Sequence, residues 1–162
     1  MNNYSFSTGG IWMLKSYIEN IEKWREEFSF YVPIKVRFSD TDMYGHLNNT
    51  VPIVYFEQAR IDFFNHLGLM EDWTDQDVNN IPVVADIQCD YLKQVYFNEP
   101  LKVYAKIAKI GSSSVDLHYL GVDHLEQICF TGRGTIVQIN QNNGKSASWT
   151  EKQLEKLSGS KK

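Results

Sequence analysis

Across 162 residues the chain has two cysteines and four prolines. Nowhere is there an apolar run of the ~18–20 residues that a membrane-spanning helix requires. Cys89 and Cys129 stand outside any CxxC or Cys/His spacing, so no disulfide framework is expected and a reducing, cytoplasmic setting is the simplest reading. Sixteen Lys and Arg against twenty Asp and Glu leave a net charge of −4 with no clustered basic run, which argues against a dedicated nucleic-acid binder. So small a charge, beside 43% apolar residues, also excludes a disordered chain. Met1 to Leu14 lack a basic stretch followed by a sustained apolar one, and no signal peptide is expected. Repeats and low-complexity tracts are absent, and the length suits one domain. What the chain has in quantity is aromatic: nine Phe, four Trp and nine Tyr.

Residues 1–30 read as an N-terminal extension. Met1 to Gly10 is polar and expected to fray; Leu14, Tyr17, Ile18, Ile21, Trp24 and Phe28 then recur at helical spacing, with Ser16 and Glu19 placed as a capping box. Ile34 to Phe38 reads as a strand with Pro33 at its edge. A longer helix is predicted from Pro52, which suits a first turn, to Gly68, with Asn48, Asn49 or Thr50 as its cap. At ~100° per residue, Ile53, Phe56, Ala59, Phe63, Phe64 and Leu67 form one wide apolar arc, so this helix should be largely enclosed. After Ile81 the pattern changes to period two. Val83 to Leu92, Leu101 to Ile107, Val115 to Tyr119 and Ile128 to Ile139 read as strands of a sheet with one wet face. Turns are marked at Asn98–Pro100, Gly111–Ser113, Gly121–His124 and Asn142–Gly144. Residues 31–150 thus make the domain, and 151–162 a polar, solvated tail. The class is α+β: either a curved sheet wrapped around the helix or a flat sheet with the helix on one face.

The chemistry concentrates in VRFSDTDMYGHLNNTVPIVYFEQAR, Val36 to Arg60, between a strand end and a helix start. A helix N-terminus offers unpaired N–H groups and partial positive charge, suited to an oxygen that becomes negative during a reaction. A carboxylate from the preceding loop supplies a base or nucleophile beside it. Together these are the minimal equipment for hydrolysing an ester or thioester.

The stretch SDTDMYGHLNN followed by YFEQAR resembles the signature of hotdog-fold acyl-CoA thioesterases of the 4-hydroxybenzoyl-CoA thioesterase (4HBT) family, and the similarity continues through IPVVADIQCDYLKQV, NEPLKVYAKIAKIGSSSVDLHY and TGRGTIVQIN. It covers about Pro33 to Trp149. The fold it implies is a long central helix wrapped by a curved five- to six-stranded antiparallel sheet, here with a short extra N-terminal helix. The activity it implies is hydrolysis of an acyl-CoA to the free carboxylic acid and coenzyme A. Carried over by position, Asp42 is the catalytic carboxylate and the backbone N–H near Asn49 polarises the carbonyl, with His46 as a third catalytic candidate. Tyr44, Gly45, Asn48, Glu57, Ser113 and Ser114 are the expected substrate-binding positions. Plant-type acyl-carrier-protein thioesterases share a similar GHxNN-like stretch but carry Asn where this chain has Tyr44.

Other residues have plainer expected roles. Asp40 should pair with Arg37 or Arg60, and Glu57 should clamp the buried Arg60. His66, His118 and His124 lack metal-ligand spacing, so no metal is expected, and no cofactor beyond the coenzyme A of the substrate. No membrane or nucleic-acid partner is expected, whereas a homodimer or homotetramer is, because long strands cannot leave their edges open. Two other readings stay open: a non-catalytic acyl-thioester binding module, and an enzyme acting on acyl-carrier-protein thioesters.

Overall fold

The central helix sets the architecture. In the computed structural model, which describes residues 16–74 and 79–160, this helix (α2, Val51–His66) lies in the hollow of a five-stranded antiparallel sheet. The strands are β1 (Phe30–Lys35), β2 (Asn80–Tyr91), β3 (Pro100–Ile110), β4 (Ser114–Val122) and β5 (Ile128–Asn140), in the spatial order β1-β3-β4-β5-β2. This is the hotdog arrangement, and it resolves the two sheet geometries that the hydropathy pattern leaves open. Tyr55, Phe56, Ala59, Phe63 and Phe64 face the sheet and meet Val103, Ala105, Leu117, Tyr119 and Ile136 in one core. The Phe56 ring stacks on Tyr119 with centroids 4.5 Å apart. Gly132 makes that closeness possible, because a Cβ there would lie 2.4 Å from Phe56 and 2.6 Å from the Gln88 carbonyl.

Enclosure of α2 is one-sided. Ile53, Val54 and Ile61 remain 38%, 54% and 43% exposed, so the apolar circumference read from the sequence is only partly covered within one chain. The first strand runs Phe30–Lys35 rather than 34–38, and Phe38–Asp40 forms a 3-10 turn. The last turn before β5 centres on Asp123 to Glu126, with Gly121 still inside β4.

Two further departures come from tertiary contact. Glu151–Gly159 is not a solvated tail but a helix (α4): Thr150 caps it, Leu157 is buried, and Lys156 bonds Asp72 at 2.7 Å and the Gly68 carbonyl at 2.6 Å. Asp72 belongs to a short helix after α2 (α3, Leu69–Thr74), whose Trp73 donates to the buried Gln138, as does Gln153.

The face expected to be wet is also covered. The N-terminal helix is shorter than its apolar spacing suggests. It spans Ile21–Glu26 (α1) and is capped by Asn20, not Ser16, because residues 16–19 run as a turn. Met1 to Gly10 and Leu14 lie outside the described residues. Residues 17–28 lie across the outer face of the sheet, where Ile18, Trp24 and Phe28 pack on Leu120 and Val122. Lys106 and His118 are buried beneath them. Lys106 sits 5.0 Å from the Trp24 ring and 4.6 Å from Phe28, and donates to the Trp24 carbonyl and Glu27. His118 Nδ1 accepts from the Trp24 indole at 2.8 Å.

That contact is pH-sensitive. Burial lowers the His118 pKa from 6.5 to about 4, with Asp116 opposing the shift and Lys106 and Arg133 adding to it. Between those values the unfolded chain binds a proton that the folded chain does not, so stability falls as pH drops from 6.5 towards 4, by up to about 3 kcal/mol. Urea midpoints measured between pH 6.5 and 5 should therefore decline more steeply for the wild type than for His118→Gln. Equal slopes would contradict it.

Candidate active site

The segment between β1 and α2 is a small hairpin. Thr41 pairs with Leu47, the Asp42 N–H donates to the His46 carbonyl at 2.8 Å, and the Asn48 N–H donates to the Asp40 carbonyl at 2.8 Å. Gly45, at φ 79°, turns its tip. The Leu47 N–H reaches the Val95 carbonyl at 2.7 Å, which fastens the hairpin to the chain just beyond β2.

Asp40 is its structural anchor. The carboxylate pairs with Arg37 at 2.9 Å, accepts the Arg37 N–H at 2.9 Å, and accepts the buried Tyr55 hydroxyl at 2.8 Å. Burial alone would raise its pKa, but these hydrogen bonds outweigh burial and hold the carboxyl below the usual range. Of the two expected partners, Arg37 is the one found. Arg60 instead lies beneath the helix near Tyr119, and its contact with Glu57 is a loose 3.8 Å.

Asp42 is half-buried and has two differently placed oxygens. Oδ1 accepts the Tyr44 N–H at 2.8 Å and the His46 N–H at 3.2 Å, closing the turn. Oδ2 has no donor among the described residues. His46 holds this geometry through its backbone, while its ring packs edge-on against Tyr96 at 5.1 Å. Met43 and Tyr44 project outward at 88% and 74% exposure.

The donor side is equally specific. From Tyr44 to Val51 every backbone N–H has an acceptor among the described residues except one. The Tyr44 and His46 groups go to Asp42 Oδ1, and that of Gly45 to the Asp42 carbonyl. Leu47 and Asn48 donate as above, and Val51 donates to the Asn48 carbonyl at 3.0 Å. Thr50 donates to Asn48 Oδ1 at 3.1 Å. Only the Asn49 N–H is unpaired, and it lies at the positive end of α2. Asn48 is thus a cap through its side chain, whereas Thr50, at the cap position, makes no side-chain bond to the helix.

The remaining expected positions are dispersed. Glu57, 62% exposed at its side chain, lies on the uncovered face of α2. Ser113 and Ser114 lie at the start of β4, where Ser114 pairs with Val137 and Val137 with Val83. Tyr91, by contrast, ends β2 beside Phe130, and its hydroxyl donates to the Asn49 carbonyl. One chain therefore separates the serines from Asp42 and Asn49 by most of the length of the sheet. The Tyr91 link escapes sequence reading, since its partner is 42 residues away. Among the described residues no group of His, Cys, Asp and Glu is arranged for a metal ion, and no helix is long and apolar enough to cross a membrane.

A curved antiparallel sheet wrapped around one long helix defines the fold as a hotdog. The thioesterase-like superfamily model matches residues 36–157, and the chain belongs to that family. It is 43% identical to an uncharacterized Bacillus subtilis protein, YsmA, over 145 residues, 89% of this chain and 96% of that one. Among solved structures, a Thermus thermophilus thioesterase complexed with coenzyme A and zinc is similar at 28% identity and TM-score 0.72, covering 84% of this chain and 97% of that chain. The DHNA-CoA thioesterase of Staphylococcus aureus shares the fold at 22% identity and TM-score 0.71, with 82% and 89% covered.

Replacing Asp40 by Ala strands the buried Tyr55 hydroxyl and the Arg37 N–H, and should cost about 2 kcal/mol in urea denaturation. A change below a few tenths would show that the hairpin does not depend on it.

Proposed function

We propose that the chain hydrolyses acyl-CoA thioesters, with Asp42 as the base or nucleophile and the Asn49 N–H polarising the carbonyl. The observation that carries this reading is the Asn49 N–H, the one between Tyr44 and Val51 that lacks an acceptor among the described residues, in the same hairpin as the open oxygen of Asp42. Charge developing on the thioester oxygen would be met by that N–H and by the end of the helix. Asp42 Oδ2 would either take a proton from the attacking water or attack the carbonyl carbon itself. The C–S bond then breaks, and coenzyme A leaves as the thiol after taking up a proton. The water route gives the free acid directly, whereas in the nucleophilic route a water then hydrolyses the acyl–Asp42 anhydride, releasing the acid and restoring the carboxylate. His46 serves here by fixing Asp42. The Thermus thermophilus structure, complexed with coenzyme A, supports the choice of carrier.

The functional unit we propose is a homodimer joined along β2. Its outer edge, which carries half-exposed Val84 and Tyr91, has no partner strand among the described residues, and the apolar Ile53, Val54 and Ile61 of α2 are uncovered beside Glu57. Antiparallel pairing of two β2 edges about a two-fold axis would set the Val83 end of one copy against the Tyr91 end of the other. The Ser113–Ser114 turn of one chain would thereby approach the Asp42 hairpin of its partner, supplying the substrate positions that a single chain keeps apart.

Thiol release from short, medium, long and aromatic acyl-CoAs should fall about 100-fold or more in Asp42→Ala relative to wild type. Equal rates would remove Asp42 from the chemistry, and saturable binding without thiol release would favour a binding module. Light scattering at micromolar concentration should give a multiple of the 18.8 kDa chain mass, and a monomeric mass would refute the shared site.

A further inference from the structure

We infer that Tyr91 is the positioning residue of the carbonyl-polarising site: its hydroxyl holds the Asn49 carbonyl and so aims the Asn49 N–H at the substrate oxygen. The inference rests on the thioesterase reading for what that N–H does, but not for how it is held.

Asn49 joins two peptide groups. The one before it contributes the free Asn49 N–H and the Asn48 carbonyl, which accepts the Val51 N–H at 3.0 Å. The one after it contributes the Asn49 carbonyl, taken by Tyr91, and the Thr50 N–H, given to Asn48 Oδ1 at 3.1 Å. Within residues 48–51 the other bonds are local or run to Asp40, also in the hairpin. Among the described residues, Tyr91 supplies the one hydrogen bond from this segment to the sheet. The direction of a backbone N–H follows from the planes on either side of its residue. The Asn49 N–H lies in the 48–49 plane, hinged at the Asn49 Cα to the 49–50 plane, so holding the second plane against β2 limits how far the first can turn. Without that tie, the bonds left to hold residues 48–51 all lie within the hairpin and the first turn of α2.

The ring of Tyr91 is not a core element. It is 53% exposed, at the last pairing of β2 with β5, so its contribution is the hydroxyl rather than buried area. Its neighbours on the inward face, Ile87 and Cys89, are half-buried and packed against the core, and neither offers a comparable donor. A tyrosine is long enough to cross from the strand end to the helix start, and its O–H needs only one acceptor.

Tyr91→Phe isolates the hydroxyl. In the full-length protein without ligand, the Asn49 and Thr50 amide resonances should shift or broaden in the variant, while those of Leu117 in β4 stay in place. Unmoved Asn49 and Thr50 amides overturn the inference whatever the activity. With the acyl-CoA cleaved fastest in the panel, kcat should fall about tenfold with KM within about twofold. A loss confined to KM overturns it. Affinity for two CoA analogues of equal chain length, a ketone with CH2 in place of the thioester sulfur and an alkyl thioether without a carbonyl, gives an independent reading. The wild type should prefer the ketone, and Tyr91→Phe should reduce that preference several-fold with thioether binding unchanged; an undiminished preference overturns the inference. A wild type with no carbonyl preference counts against the thioesterase reading, while the amide shifts still decide the link.

Discussion

The close fit of α2 into the sheet governs the rest of the molecule. Phe56 stacked on Tyr119 over the bare backbone of Gly132 fixes how deeply the helix sits. Any side chain at position 132 would push the helix outwards, since core contacts do not compress. With the depth of α2 set, its N-terminus falls at one end of the strands. The loop leading into it must then be folded and pinned there. Asp40 does the pinning, since Tyr55, one turn before Ala59 on the buried face, gives its hydroxyl to the same carboxylate that Arg37 holds. The site is thus an outcome of core packing, transmitted through one buried carboxylate.

The two aspartates of the hairpin divide the work that a lone one could not do. Asp40 accepts from every side and is closed to chemistry. Asp42 spends one oxygen on the turn and leaves the other open. From Tyr44 to Val51 the N–H groups are used as sparingly, with that of Asn49 alone lacking an acceptor among the described residues. Elsewhere Gln138 bridges Trp73, Gln153 and two backbone carbonyls, and Asp123 accepts from Lys93, Leu125 and Gln127, while Glu99 Oε2 and the Tyr119 hydroxyl are buried without a hydrogen bond among the described residues.

Much of this was legible in the residues. Helical spacing from Pro52 to Gly68 and the period-two runs after Ile81 mark α2 and four of the strands, because burial on one face writes its period into the chain. The SDTDMYGHLNN stretch marks the hairpin, since turn formers and helix caps announce themselves locally. Less was legible where an element is covered by something distant. Lys106 and His118 alternate with apolar residues as on any wet face, and nothing near them in the chain says that Trp24 lies on top. The Lys/Glu-rich end reads as tail because the partners of Lys156, namely Asp72 and Gly68, are more than 80 residues away.

The scarcity of cysteine, the small net charge and the lack of long apolar runs noted at the outset pointed to a globular core as the main source of stability, and the aromatic supply showed where it would come from. By itself the sequence determined the class of fold, the order of the central helix and the strands, and the loop before that helix that holds Asp42 and Asn49, because each is written in neighbours within a few residues. Tertiary structure decided which carboxylate is closed and which is open, which N–H is left unpaired, and what holds it in place. Those depend on Tyr55 and Tyr91 arriving from a helix and a strand that meet the hairpin only after the sheet has closed around α2.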